Sequence, residues 1–140
     1  MIIMDNILQD YNTYKLAVDS AYNHIIITDS EGKVLYENPA VTRITGFTPE
    51  EIIGNNPSLW GRQMPQEFYE VLRETIKVKK QSYSGEIVNK RKNGEVYHAL
   101  VVVSPILDKE NNLLGFIGTE EDISDLKKVE DNLKEKNEYL

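Results

Sequence analysis

GEIVNKRKNGEVYHALVVVSPIL, residues 85 to 107, decides the fold. Asn93-Gly94 divides it into two strand-like runs, and this dipeptide is the strongest short-range hairpin signal because it accepts the positive φ values that a tight turn needs. Upstream, HIIITD (24–29) and KVLYEN (33–38) read as a second strand pair. Ser30-Glu31-Gly32 joins them, with Gly32 supplying the positive φ. Downstream, the polar loop DKENN (108–112) leads into LLGFIGTEED (113–122), a further strand.

Helix signals fill the space between the two groups of strands. Asn38-Pro39 is a start, with Asn38 as cap, and Gly46 is its stop. Thr48-Pro49-Glu50-Glu51 is a full capping box, cut short by Gly54 and Pro57. Pro65 opens a longer helix with Phe68, Val71, Leu72, Thr75 and Ile76 on one stripe. The flanks are helical as well. Ile7, Tyr11, Tyr14 and Val18 share a face. Leu126, Val129, Leu133, Lys136 and Leu140 follow the three-four spacing of a coiled-coil seam. So short and charged a helix is marginal alone in water and needs a partner, such as its own domain or a second copy. The heptad-like stripe at both ends favours a homodimer. Strands separated by a helical insert predict an α+β domain, with one antiparallel sheet and helices on one face. A ligand-sized pocket fits between the two layers.

Composition removes several functions. A chain of 140 residues makes one domain. Its net charge of −7 lacks a phosphate-binding footprint, which argues against nucleic acid. There is no cysteine, so disulfides, thiolate metal sites and cysteine nucleophiles are excluded. No apolar run is long enough to span a bilayer, and MIIMDN lacks the basic start of a signal peptide. The expectation is a cytoplasmic protein, or the soluble module of a larger one. Nucleotide-loop, HExxH and GxSxG motifs are absent. Asp108 to Asn112 lacks the alternating ligand spacing of a calcium loop, so no metal is expected. Glu120, Glu121 and Asp122 alternate across a strand and make a poor catalytic pair. A regulatory role is expected rather than an enzyme.

Three blocks, taken together and in order, resemble the PAS domain family. They are ITDSEGKVLYENPAVTRITGFTPEEIIGNNP (27–57), SGEIVNKRKNGEVY (84–97) and SPILDKENNLLGFIGTEEDIS (104–124). The resemblance implies a five-stranded antiparallel sheet holding a pocket against short helices, a sensory role, and output through flanking helices. It divides the chain into a flanking helix (1–20), a PAS core (21–122) and a signalling helix (123–140). Asp122-Ile123-Ser124 is similar to the family's closing DIT motif, which makes Asp122 and Ile123 the expected signal relay. Leu126, Val129, Leu133 and Leu140 are then the expected dimer seam. Asp122 is placed to cap the helix, with Asp125 in its first turn.

The pocket chemistry can be narrowed by residue. Pro57 stands where LOV photoreceptors carry their reactive cysteine, so cysteinyl-flavin photochemistry is excluded. Haem needs an axial ligand. His24 and His98 read as ordinary boundary or surface histidines, which speaks against it. Non-photochemical flavin, FAD or FMN, survives. SYSGEIVNKRK resembles the FAD-containing redox-sensing PAS domains of nitrogen-fixation regulators, and Asn89 falls where these carry an asparagine facing the flavin edge. An amide both donates and accepts, which suits that edge. Tyr83 occupies the place of an aromatic, and Trp60 fits a pocket wall. Ala99 replaces a second asparagine of LOV domains and Glu120 a glutamine. Burial can raise the Glu120 pKa enough to keep it protonated. With Ile87, these residues are the pocket candidates. The same residues also suit an aliphatic pocket that holds a small apolar molecule or nothing. Two functions remain open. One is a sensor of a small ligand or redox state, signalling to an effector such as a histidine kinase. The other is a ligand-free module for dimerisation or protein interaction.

Overall fold

The computed structural model describes residues 11–138. Helix α1 (Tyr11–Ser20) leads into a hairpin of β1 (His24–Asp29) and β2 (Val34–Glu37). Gly32 turns this hairpin at φ +88°. The Asp29 carboxylate steadies the turn by accepting the N–H groups of Glu31 and Lys33, both at 2.9 Å. Then come α2 (Pro39–Thr45), α3 (Pro49–Ile52) and a short 3-10 turn, Pro57–Leu59. α4 (Gln66–Arg73) runs on into a widened π turn, Glu74–Val78. β3 (Tyr83–Lys90), β4 (Val96–Leu107) and β5 (Leu113–Asp122) precede α5 (Ser124–Glu138).

The five strands form one sheet in the order β2-β1-β5-β4-β3, with every neighbouring pair antiparallel. This is the α+β architecture that the sequence predicts. Turn chemistry explains the joints. Gly94 adopts φ +93° between β3 and β4, and the Asn93 side chain accepts the Glu95 N–H at 2.9 Å. Thr48 and Glu51 close the capping box reciprocally, each side chain at 3.2 Å from the other's N–H. Gly46 ends α2 in the left-handed region, and its N–H reaches the Thr42 carbonyl.

The core lies between the inner face of the sheet and the helices. One cluster joins Ile26 and Val34 to Val41 of α2, Ile52 of α3 and Trp60. A second joins Ile87, Tyr97, Ala99 and Val101, with Ile44, Met64 and Phe68 packed against them. Burial of each such aliphatic or aromatic side chain contributes about 2 kcal/mol.

Two local expectations are corrected. Asn38 stands before α2, but its side chain makes no cap bond. It is fully buried and accepts the Ile25 N–H at 2.9 Å while donating to the carbonyls of Val18 and Asn23. The backbone groups of the α1–β1 connection, which no ladder satisfies, take precedence over the helix start. Val71, assigned to the buried stripe of α4, is 57% exposed, whereas Phe68, Leu72, Thr75 and Ile76 are half-buried. It sits on the flank of the stripe. Ile7 and Leu140 lie outside the described residues.

Candidate functional site

A cavity of about 420 Å³ opens between the sheet and α4, within the range of small-molecule sites. Its walls are mostly apolar, with Ile26 of β1, Ile87 of β3, Val101 of β4 and Phe116 of β5 facing Leu72 and Ile76. Gly118 helps to keep it open. A Cβ there would stand 3.3 Å from Ile26 Cγ1, inside the same space.

The inner end is polar, and strand register explains why. His24 pairs across β1 and β5 with Glu120, so both side chains leave the same face. His24 Nδ1 lies 3.2 Å from Glu120 Oε2, and both residues are almost fully buried. Asn89 of β3 donates from Nδ2 to Glu120 Oε1 at 2.8 Å. This bond spans the intervening strand β4. Ala99 sits there between them, paired with Ile87 on one side and Asp122 on the other. Its methyl leaves the room in which amide and carboxyl meet. Trp60 meets the His24 ring edge-on, with centroids 5.3 Å apart. Tyr97 completes the floor, its buried hydroxyl beside Asn89 and Glu120 without a hydrogen bond of good geometry.

Burial sets the charge state. It pushes the Glu120 carboxyl up to about 7, although the Asn89 bond pulls the other way. Burial also holds His24 down at about 3, so the imidazole is neutral. Neither His24 Nδ1 nor Glu120 Oε2 has another hydrogen-bond partner among the described residues. A proton on Oε2 is therefore placed to be donated to Nδ1, and a ligand that reaches this end meets a carboxyl that can both donate and accept.

From this end the sheet leads straight to the last helix. Glu120 and Asp122 lie on one face of β5, two residues apart. Asp122 accepts the Ser124 N–H at 3.0 Å, the first turn of α5, and pairs with Arg91 at 2.8 Å. The Arg91 guanidinium stacks on the Tyr97 ring, 4.3 Å from its centroid. Ile123 is buried, and its N–H donates to the His98 carbonyl. The Ser124 hydroxyl accepts the His98 N–H in return.

The sequence candidates therefore separate. Asn89, Glu120, Ile87 and Trp60 border the cavity. Tyr83 and Ala99 do not, which corrects their assignment to its wall. Tyr83 begins β3 and packs edge-on against Phe68, at 5.7 Å. Ala99 lies beneath the polar pair and is fully buried in the core. His24, read as a boundary or surface histidine, is a buried neighbour of Glu120. No local signal marks it, because Ile25, Ile26 and Ile27 make both faces of HIIITD apolar, and only the pairing with β5 turns residues 24, 26 and 28 inward. The seam residues Leu126, Val129 and Leu133 are each more than half exposed. No helix among the described residues is long and apolar enough to cross a membrane.

Comparison with known proteins agrees with this architecture. Residues 23–125 match the model of the PAS domain. Over 108 residues, 76% of this chain, the sequence is 30% identical to a nitrogen fixation regulatory protein of Klebsiella oxytoca, and it spans 22% of that protein. It is 27% identical over 125 residues to sporulation kinase C of Bacillus subtilis, covering 88% of this chain and 28% of the kinase. The structure of an RNA-binding light-oxygen-voltage receptor superposes with a TM-score of 0.80 at 19% identity, covering 91% of this chain and 37% of that one. At that identity the likeness concerns the fold alone. From the matched residues and the sheet together, the chain belongs to the PAS domain family, a family of sensory and regulatory modules that are not themselves catalytic.

Proposed function

We propose that this PAS domain is the cytoplasmic sensor of a longer regulatory protein. It holds a small planar ligand between sheet and α4 and relays a change of ligand or redox state through α5 to an effector such as a histidine kinase. The observation that carries the reading is the buried Asn89–Glu120–His24 group at the end of an apolar cavity, with Glu120 on the strand that ends at Asp122 and passes into α5 at Ser124. Burying polar groups that are only partly satisfied costs stability, so a module used only for assembly gains nothing from them. A kinase among the similar proteins supports the choice of effector.

A flavin is the first candidate ligand. The apolar walls and Trp60 suit a flat ring, and Asn89 and Glu120 offer the mixed donors and acceptors that its edge requires. When bound, a flavin supplies reversible redox chemistry. Asn89 and Glu120 then orient the ring edge, and Glu120 can hold or release a proton beside it. Pro57 leaves the cavity without a thiol, so the response is one of redox or occupancy. The test is a visible absorption spectrum of freshly purified protein, followed by reconstitution with FAD and FMN. A flavin spectrum supports the proposal, whereas a colourless protein that takes up neither cofactor removes flavin.

A second reading, assembly without ligand, draws on the exposed stripe Leu126, Val129 and Leu133 along α5. It expects a homodimer whose α5 helicity rises with concentration and whose cavity takes up no small molecule. Sedimentation over a range of concentrations measures the first part and the reconstitution above the second.

A further inference from the structure

Three buried polar atoms of the inner group lack a hydrogen bond among the described residues: His24 Nδ1, Glu120 Oε2 and Tyr97 Oη. The first two face each other at 3.2 Å. The third is left over. Tyr97 stands opposite Asn89 across β3 and β4, is fully buried and lies outside the cavity wall. A buried hydroxyl without a partner is costly, and its position beside Glu120 suggests what it waits for. In its acid form Glu120 turns its proton toward His24 and accepts from Asn89 with its other oxygen, which leaves little pull on a further donor. A carboxylate has room for several donors and binds each about twice as strongly.

We infer that this domain also senses protons directly, without a small-molecule ligand: when Glu120 releases its proton, the Tyr97 hydroxyl turns onto the carboxylate and passes the change through Arg91 to Asp122. Glu120 borders the cavity, so its proton leaves to water through the opening. Burial brings the carboxyl up to about 7, which sets the exchange near neutral pH. The groups around it are few. From β1 comes His24, held neutral by burial, which accepts from the acid form and can donate to the charged one by moving its own proton to Nδ1. From β3 comes the Asn89 amide, and from β4 Tyr97, which burial keeps un-ionised. On β5 lies Asp122, which despite partial burial its bonds to Ser124 and Arg91 hold below the ordinary value. Around the rest of the cavity stand Glu31, Arg62, Tyr69, Arg73 and Lys77. Tyr97 joins the inner group to the start of α5, because its ring carries the Arg91 guanidinium that pairs with Asp122. The inference uses the same buried group as the ligand reading but needs no occupant, so ligand uptake and the pH response are decided separately.

The test is a magnetic resonance pH series from about 5 to 9 on the protein without added ligand. It follows the Glu120 carboxyl carbon, the Tyr97 ring carbon that bears the hydroxyl, and Arg91 Nε, in wild type, Y97F and E120Q. In wild type the three signals should move with one midpoint. In E120Q those of Tyr97 and Arg91 should stand still. Y97F keeps the ring under Arg91 and removes only the donor to the charged form. Its Glu120 midpoint should rise by about one pH unit, and Arg91 should no longer follow it. Because the hydroxyl is unbonded in the acid form, Y97F should unfold with wild type near pH 5 and before wild type near pH 9, each pH being about two units from the raised value. A Glu120 that does not titrate in this range overturns the proton sensor. A Glu120 that titrates while Tyr97 and Arg91 stay fixed overturns the relay, since His24 then satisfies the charge alone. An unchanged midpoint in Y97F overturns it as well.

Discussion

Replacing Glu120 by glutamine tests the electrostatics of the site most directly. Glutamine has nearly the shape of the protonated carboxyl. It can accept from Asn89 Nδ2 and donate to His24 Nδ1, so both contacts of Glu120 persist. The wild-type group has an ordinary value of 4.5 and is pushed up to about 7 by burial. Below 4.5 it is protonated in the folded and the unfolded chain alike, and ionisation affects neither. Between these values the unfolded chain releases the proton and the folded chain keeps it, so stability falls as pH rises. The loss stops growing above the folded value, where it amounts to about 3 kcal/mol. E120Q cannot lose a proton. The variant should match wild type near pH 4 and exceed it by up to about 3 kcal/mol near pH 8. His24, held down at about 3, imposes the opposite slope as pH falls through its ordinary value of 6.5. It is present in both proteins and cancels in the comparison. Urea unfolding followed by Trp60 fluorescence across this range gives the difference curve. A flat curve refutes the raised carboxyl. A variant that is weaker than wild type at pH 8 refutes it further, because Glu120 must then be a carboxylate paired with a charged His24.

Three further outcomes are expected. G115A should cost about 3 kcal/mol or more in urea or thermal unfolding, because the added Cβ would stand 2.1 Å from the Thr28 carbonyl oxygen and only a parting of β1 from β5 relieves that. N89A removes the donor to Glu120 Oε1 and should cost about 1–3 kcal/mol. It should also move the titration of Glu120 further up, since the lost bond favours the charged form. Carboxyl carbon shifts in a pH series show whether it does. D122A removes both the acceptor for Ser124 N–H and the partner of Arg91, for a loss of about 1 kcal/mol. Far-ultraviolet circular dichroism should show reduced helicity if α5 depends on that start.

Legibility followed the range of the interaction. The strands and their turns were readable because their causes are local. Asn93-Gly94 and Ser30-Glu31-Gly32 each carry the turn chemistry within three residues, whereas the three consecutive isoleucines of HIIITD mark a strand without marking its buried face. The capping box at Thr48 is likewise contained in four residues. Asn38 was misread because its role depends on α1 and β1, which local preference does not include. Tyr83 and Ala99 were misplaced for a related reason. Both lie on the inner side of the sheet, but whether such a residue borders the cavity or the packed core depends on Phe68 and on the register of three strands. Arg62, Arg73 and Lys77 lie in three different local settings of the sequence, and only the fold of α4 over the sheet brings them to the border of one cavity.

The arrangement of β5 bears on how the proposed signal could leave the domain. Asp122 lies two positions beyond Glu120, about 7 Å along the strand, so the polar end of the cavity and the residue that accepts the Ser124 N–H of α5 share one strand. A second route reaches the same point, because Tyr97 lies beside Glu120 and supports Arg91, which holds Asp122. Both routes converge on a joint fastened to β4 by two reciprocal bonds between His98 and Ile123-Ser124, and to β3 by Lys127 and Glu86 at 3.0 Å. Beyond that joint the seam residues Leu126, Val129 and Leu133 of α5 are each more than half exposed. A ligand that alters hydrogen bonding at Glu120 therefore need not move the helix as a body. Under the proposed relay it would bias how Arg91 holds Asp122, and by no more than the ligand's difference in affinity for the arrangements involved.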